Sequence, residues 1–285
     1  KTPGVQAQLV RSWGVEVYQC PLRGNVRLFG KEFLKIIRDG NYDGVHVSRE
    51  NLSWWILRYA YKAGLPLRLV HYHSSAISEI LSKESFLDGV AKVLTPRYAN
   101  AIAGCSQVSL EHNTSKMFMG KCYSKVIYNS VDIARFTKVC DETIIAVKEE
   151  LGISQSRLVV GACGRLDQIK RPCVFAEVAA KVCAKVPEAV FLWVGDGELR
   201  PEMESLIQKN KLQGRLIITG MRSDVPELLN SIDIFLQLSK WEGFCVAVLE
   251  AQSCGLPVVS SEAKAFTEGV CSEMQSLRVR GDDVD

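Results

Sequence analysis

Two carboxylates, Glu242 and Glu250, stand eight positions apart in the stretch Ser239 to Ser261, SKWEGFCVAVLEAQSCGLPVVSS. The pattern predicts a helix from about Gly243 to Ser253, a break at Gly255-Leu256-Pro257, and a strand from Pro257. On such a helix the two carboxylates lie roughly 12 Å apart along the axis, at about 1.5 Å per residue. That is too far for the pair to share one bond, as a glycosidase pair does. It suits the two ends of an extended ligand whose middle lies over the helix N-terminus. There the backbone N–H groups of Gly243, Phe244 and Cys245 would face an anion such as a diphosphate.

Arg165 and Lys170 follow the apolar run Leu158 to Ala162, which reads as a strand. A guanidinium fork and a mobile ammonium together could neutralise a diphosphate. Composition alone would make them a solvated basic pair; position at a strand end, with the Glu242 region downstream, reverses that preference. Glu242 is equally explained by the macrodipole, which favours a carboxylate at a helix start. Glu250 has mostly apolar helix neighbours, and as an ionised acceptor it suits ligand hydroxyls.

Gly220 and Met221 open a loop, Gly220 to Asp224, that reads as a turn with Asp224 capping the next helix. Asp196, in Val194-Gly195-Asp196-Gly197, reads as a turn residue or cap. His73 follows the strand Leu67 to His71 and is the best candidate in the first half, only slightly ahead of a structural role. His71 reads as buried. No further Cys or His accompanies the pair at metal spacing, which argues against zinc. Ser106 is a helix cap or a minor contact.

Strand and helix patterns alternate along the chain in two series. Strands are expected at 14–20, 42–47, 67–71, 99–105 and 125–128, with helices at 31–38, 53–63, 86–93 and 107–117. From Thr137 to Gln155 the strand signal fades and charge rises, with one short helix. Strands resume at 158–162, 189–194, 216–219, 234–238 and 257–260, with helices at 172–185, 200–210, 225–230 and 243–253. This is an α/β chain with parallel sheets wrapped by helices. The boundaries are residues 1–136, a linker 137–155, and residues 156–285. Two doubly wound domains would face one cleft, and ligands of open α/β sheets sit at strand C-terminal ends.

The chain has 285 residues, 47% apolar and 24% charged, with a formal charge of +3. Nothing in that balance points to nucleic acid. Ten cysteines, such as Cys163, Cys173 and Cys183, sit in apolar runs without C-x-x-C pairs, which points to buried reduced thiols of a cytoplasmic protein. No apolar run is long enough for a membrane span and no signal peptide is evident. The chain opens at Lys1 without Met, lacks an opening strand and Gly-rich loop, and stops soon after the Glu250 helix. It reads as a piece lacking both ends.

The stretch Glu242 to Glu250 followed by Ala251 and Gly255-Leu256-Pro257-Val258-Val259 resembles the donor-site signature of retaining glycosyltransferases of family four, which have the GT-B fold. Gly164-Arg165-Leu166 with Lys170, Val194-Gly195-Asp196-Gly197, and Gly220 to Asp224-Val225 are similar to that family's other motifs and occur in its order. Cys245 departs from the usual Gly or Pro but still offers a backbone N–H. The resemblance implies two Rossmann-like domains, the second binding a nucleotide-sugar, most often a UDP-sugar. It implies that Arg165 and Lys170 meet the diphosphate and stabilise the leaving group, and that Glu250 takes the ribose hydroxyls. Backbone at Gly220 and Met221 holds the base, Glu242 contacts the transferred sugar, and His73 lies near that sugar.

Finer likeness in Tyr42-Asp43-Gly44-Val45-His46 and Val126 to Asp132 points to enzymes of cell-surface polysaccharide synthesis. These meet a glycan or lipid-linked acceptor, in the cytoplasm and peripherally at the inner membrane face. Basic residues such as Lys31, Lys35 and Arg58 could serve that surface or be ordinary solvated faces. No metal and no cofactor are expected. The only D-x-D, Asp283-Val284-Asp285, ends the chain rather than a core strand, so cationic side chains and the helix N-terminus would replace a divalent ion. Three rivals stand beside this reading. A GT-B epimerase or hydrolase would need carboxylates in the first domain. A nicotinamide enzyme would need a G-x-G-x-x-G that is absent. A non-catalytic nucleotide-sugar-binding fragment would bind without transfer.

Overall fold

The computed structural model describes residues 6–20, 26–49, 52–74, 83–115, 122–261 and 276–279. The chain folds as two compact units. One comprises Lys1–Tyr72, Ser78–Ala103 and Asn113–Lys125. The other comprises His73–Ile77, Gly104–His112 and Val126–Asp285.

The first unit is built on the sheet order β1-β2-β3-β4, from β1 (Gly44–Val47), β2 (Leu67–Tyr72), β3 (Ala101–Gly104) and β4 (Tyr123–Val126). β1 and β2 run parallel, in register from Gly44 opposite Leu67 to Val47 opposite Val70. Helices α1 (Ala7–Ser12), α2 (Val26–Gly40), α3 (Ser53–Lys62) and α4 (Lys83–Tyr98) accompany them. Leu57 and Ala60 of α3 are fully buried, one apolar side of the helix repeating at helical spacing. Residues 14–20, expected as a strand, belong to no sheet among the described residues. Their alternation gives way because both sides stay largely exposed, Val15 and Tyr18 included, so no burial holds the segment extended against a partner.

The second unit takes in most of α5 (Gln107–Asn113), started by Ser106, whose Oγ accepts the N–H of Ser109 at 3.0 Å. That is the cap expected of Ser106. The sheet order β10-β9-β8-β5-β6-β7 follows, from β5 (Leu158–Cys163), β6 (Ala189–Val194), β7 (Leu216–Ile218), β8 (Ile234–Gln237), β9 (Val258–Ser261) and β10 (Ser276–Val279). Every named pairing is parallel. β6 is buried along its whole length, as an inner parallel strand covered on both sides must be. Its flanking helix α7 (Pro172–Lys185) presses Phe175 edge-on against Phe191 and Trp193, with ring centroids 5.3 and 5.1 Å apart.

The other helices are α6 (Asp141–Glu150), α8 (Arg200–Lys209), α9 (Val225–Asn230) and α10 (Val246–Ser253). Residues 137–155, expected as a linker, form α6 and its flanks, and Val147 and Ile153 join this unit's core beside Leu228 and Phe235. β10 was not expected from the sequence, and Asp283-Val284-Asp285 lies outside the described residues. All nine cysteines among the described residues are free. Cys105, Cys245 and Cys254 are buried, but Cys163, Cys173 and Cys183 are only half-buried, because each sits at an element end or a helix flank.

Candidate functional site

The functional candidates of the second unit gather on loops at the C-terminal ends of β5, β6, β7 and β8. The loop after β5 turns about Asp167, whose Oδ1 accepts the N–H groups of Ile169 and Lys170 at 3.1 and 3.0 Å. This loop is bolted to the one after β8, where Lys240 donates its N–H to the Ile169 carbonyl at 2.8 Å. Lys170 is thereby carried to Glu242, and its Nζ meets Oε1 at 2.5 Å. Both side chains are largely covered, at 19% and 13% exposure. Burial works against the Lys170 charge, but Cys245 and Glu242 outweigh it and hold the ammonium above its ordinary range. Burial pushes the Cys245 thiol itself up to about 12.

The helix expected from Gly243 begins at Val246, with Cys245 extended at the cap position. Gly243, Phe244 and Cys245 are therefore buried loop, not first helical turn. The cause is packing. A Cβ at Gly243 would strike the His73 carbonyl, and Phe244 lies against Tyr128 with ring centroids 5.8 Å apart. Glu242 consequently stands off the helix, and the expected axial spacing to Glu250 does not apply. His73 is exposed, and its backbone rather than its ring is the part set against Gly243. His71 is buried in β2, as expected.

Glu250 lies on α10, half-buried. Burial raises its pKa, opposed by the charges of Arg135 and Lys170. Burial likewise pushes the neighbouring thiols up, Cys163 to about 12 and Cys254 to about 11, which leaves them neutral and poor nucleophiles. Arg165 differs from Lys170. Its side chain is 80% exposed and pairs with Asp167 at 3.0 Å, within a concavity of about 350 Å³ lined by residues 165–169 with Gly197 and Glu198.

The loops after β5 and β6 pack backbone to backbone. Leu166 donates to the Asp196 carbonyl at 3.1 Å and Leu199 to the Leu166 carbonyl at 2.9 Å. Trp193 Nε1 fixes the Gly164 carbonyl at 3.0 Å. Gly195 takes φ +139°, and a Cβ there would collide with that same carbonyl. Only glycine fits. Asp196 makes a local turn to the Gly197 N–H at 2.8 Å and pairs with Arg200 at 2.9 Å.

Gly220 bridges to Gly195 and takes φ +72°, which presents Met221 at 88% exposure. Asp224 holds the cap position of α9 without a side-chain cap bond, correcting that expectation. Its carboxylate is taken by Arg222, at 2.8 and 2.6 Å. Arg222 also grips Glu150 of α6 at 2.5 and 3.1 Å. A fork bonded to two carboxylates outcompetes a single backbone N–H.

Four residues of this site escaped the sequence reading. Arg222 stood inside a quoted motif but carried no spacing signal of its own. Arg135, which donates to the Ser223 carbonyl at 3.2 Å, had none either. Ser239 donates to Glu242 Oε1 at 2.7 Å and accepts from Gln237 Nε2 at 2.7 Å. The Ser239-x-x-Glu242 spacing was the available signal, since it is that of a capping box. Here the two side chains bond each other.

Residues 157–285 match the family model described as glycosyl transferases group 1. Over 261 residues the chain is 29% identical to an Escherichia coli UDP-Gal:alpha-D-GlcNAc-diphosphoundecaprenol alpha-1,3-galactosyltransferase, covering 88% of this chain and 66% of the relative. It is also 29% identical to the lipopolysaccharide core biosynthesis mannosyltransferase LpsB of Rhizobium meliloti, covering 56% of this chain and 47% of that protein. The chain thus spans about two thirds of the first relative's length and less than half of the second's. Its fold matches the crystal structure of Anabaena Alr3699/HepE in complex with UDP-glucose, with TM-score 0.82 and 23% identity, over 99% of this chain and 77% of that one. That likeness is one of fold, an α/β GT-B architecture of Rossmann-like units. Among the described residues no helix is long and apolar enough to cross a membrane.

Proposed function

We propose, from the match of residues 157–285 to the family model described as glycosyl transferases group 1, that the chain transfers a sugar from a nucleotide-sugar to a hydroxyl of a glycan or lipid-linked acceptor in cell-surface polysaccharide synthesis. The observation that carries this reading is the covered ion pair of Lys170 and Glu242, at 2.5 Å, beside the start of α10. It sets a phosphate-binding cation and a hydroxyl-binding carboxylate side by side, where a diphosphate joined to a sugar needs both. Lys170 has three N–H donors, so bonding to Glu242 leaves it able to serve a phosphate as well. Arg165 adds a second cation at the mouth of the site. Glu250 takes the ribose hydroxyls, backbone at Gly220 and Met221 holds the base, and backbone at Gly243, Phe244 and Cys245 faces the diphosphate. His73 lies by the transferred sugar.

Uracil is the proposed base. The named substrate of the Escherichia coli relative is UDP-Gal and the Anabaena structure holds UDP-glucose. The proposed reaction retains configuration. The acceptor oxygen bonds the anomeric carbon on the face the diphosphate leaves, the bond to the phosphate oxygen breaks, and the acceptor proton passes to a departing phosphate oxygen. The protein's part is positioning and stabilisation of the leaving charge. Lys170 and Arg165 take the place of a divalent ion, so no metal is required. The acceptor is met on the cytoplasmic side of the membrane.

The test incubates the protein with UDP-galactose and a polyprenyl-diphosphate-linked N-acetylglucosamine and reads the product's anomeric configuration by NMR. An α-linked product supports the reading. A β-linked product overturns retention. Free galactose or an epimerised nucleotide-sugar, without transfer, favours a hydrolase or epimerase.

A further inference from the structure

We infer that Gln237 and Ser239 are positioning residues that fix the carboxylate of Glu242, an inference that deepens the reading above and rests on it. Gln237 Nε2 donates to Ser239 Oγ at 2.7 Å, and that hydroxyl donates to Glu242 Oε1 at 2.7 Å. Lys170 Nζ reaches the same oxygen at 2.5 Å. Ser261 Oγ pins the Ser239 carbonyl at 2.7 Å. The chain is sealed from water, with Gln237, Ser239 and Ser261 at 3%, 1% and 5% exposure.

The direction of the relay follows from the chemistry of its end. An ionised carboxylate only accepts, so the single hydroxyl hydrogen of Ser239 must point to Glu242. The Ser239 lone pair then requires a donor, and among the described residues the amide nitrogen of Gln237 supplies it. That orientation leaves Gln237 Oε1 buried without a hydrogen-bond partner among the described residues. An unmet buried acceptor is a real penalty. Turning the amide over would face two acceptors with one hydrogen and take it from Glu242. The amide orientation thus serves the carboxylate.

The terminal torsion of a glutamate is broad and two-fold. With Ser239 and Lys170 both on Oε1, the carboxylate plane is fixed, and so is the direction of its second oxygen. A carboxylate that must meet the hydroxyls of one sugar needs that direction set before the ligand arrives.

The test compares Ser239→Ala, Glu242→Gln and the double variant with the parent, by calorimetric titration with UDP and with UDP-galactose. Ser239→Ala keeps its UDP affinity within about twofold. It loses about tenfold in UDP-galactose affinity, the weight of one hydrogen bond to a charged group. The double variant loses no more than Glu242→Gln alone. Losses that add in the double variant, or UDP and UDP-galactose affinities that fall together, overturn the inference. A second readout needs no nucleotide. Acetylation of Lys170 by acetic anhydride, followed by mass spectrometry, accelerates in Ser239→Ala as it does in Glu242→Gln; an unchanged rate overturns the relay. If the parent binds neither ligand while Lys170 acetylation responds, the nucleotide-sugar reading falls and the relay stands.

Discussion

Lys170 and Glu242, 72 positions apart in sequence, meet at 2.5 Å under cover of the loops after β5 and β8. The contact exists because Asp167 turns the first loop and Lys240 ties it to the second. Lys170 is shielded and paired, while Arg165, a few residues earlier, projects into solvent. The two cations should therefore behave differently when removed.

Lys170→Ala leaves a covered carboxylate without its cation, which costs on the order of 3 kcal/mol. Its melting temperature should fall together with its turnover. Arg165→Ala removes the solvent-exposed partner of Asp167, a contact worth under about 1 kcal/mol. It should melt like the parent yet lose turnover. Calorimetric melting and transfer assays on the two variants check this.

The same pair sets an alkaline limit. The folded pKa of Lys170 lies above its ordinary 10.5, so its contribution is complete below 10.5 and is lost as pH rises through the folded value. In urea titrations the stability gap between the parent and Lys170→Met should narrow steadily above pH 10.5. A gap that stays constant into that range contradicts the pair's role.

Burial raises the Glu250 pKa above its ordinary 4.5. Its protonated form is the one the fold prefers, so this contribution is complete below 4.5 and lost as pH rises through the folded value. At neutral pH the ionised side chain is held at some expense of stability. Glu250→Gln should melt higher than the parent at pH 7, with the difference closing towards pH 4.5.

Gly195 offers a steric test. With φ +139° and the Gly164 carbonyl in the way of a Cβ, Gly195→Ala should cost about 1–3 kcal/mol from backbone strain alone. Separating the loops after β5 and β6 should add to that. Gly214→Ala, also at positive φ but facing open space, should cost less in the same denaturant titration.

Much of this was legible in the sequence because strand and helix periods differ and the second unit keeps them clean. β6 reads as one apolar run, and Pro172 marks the start of α7. Residues 14–20 alternate like a strand but pair with no strand among the described residues, which alternation cannot reveal. The start of α10 was misplaced because Gly243 and Phe244 are held by His73 and Tyr128, neighbours remote in sequence. Lys170, Glu242 and Glu250 could be named from motif order. That Lys170 and Glu242 share an ion pair, and that Gln237 and Ser239 stand behind it, depends on loop docking with no local signature.

Titration calorimetry with UDP, without added metal, on the parent and on Glu250→Ala asks whether this chain holds a nucleotide through Glu250. The parent should bind UDP saturably and a folded Glu250→Ala should not bind it. A folded parent that binds neither UDP nor GDP, or a Glu250→Ala variant that binds UDP as tightly as the parent, would contradict that expectation.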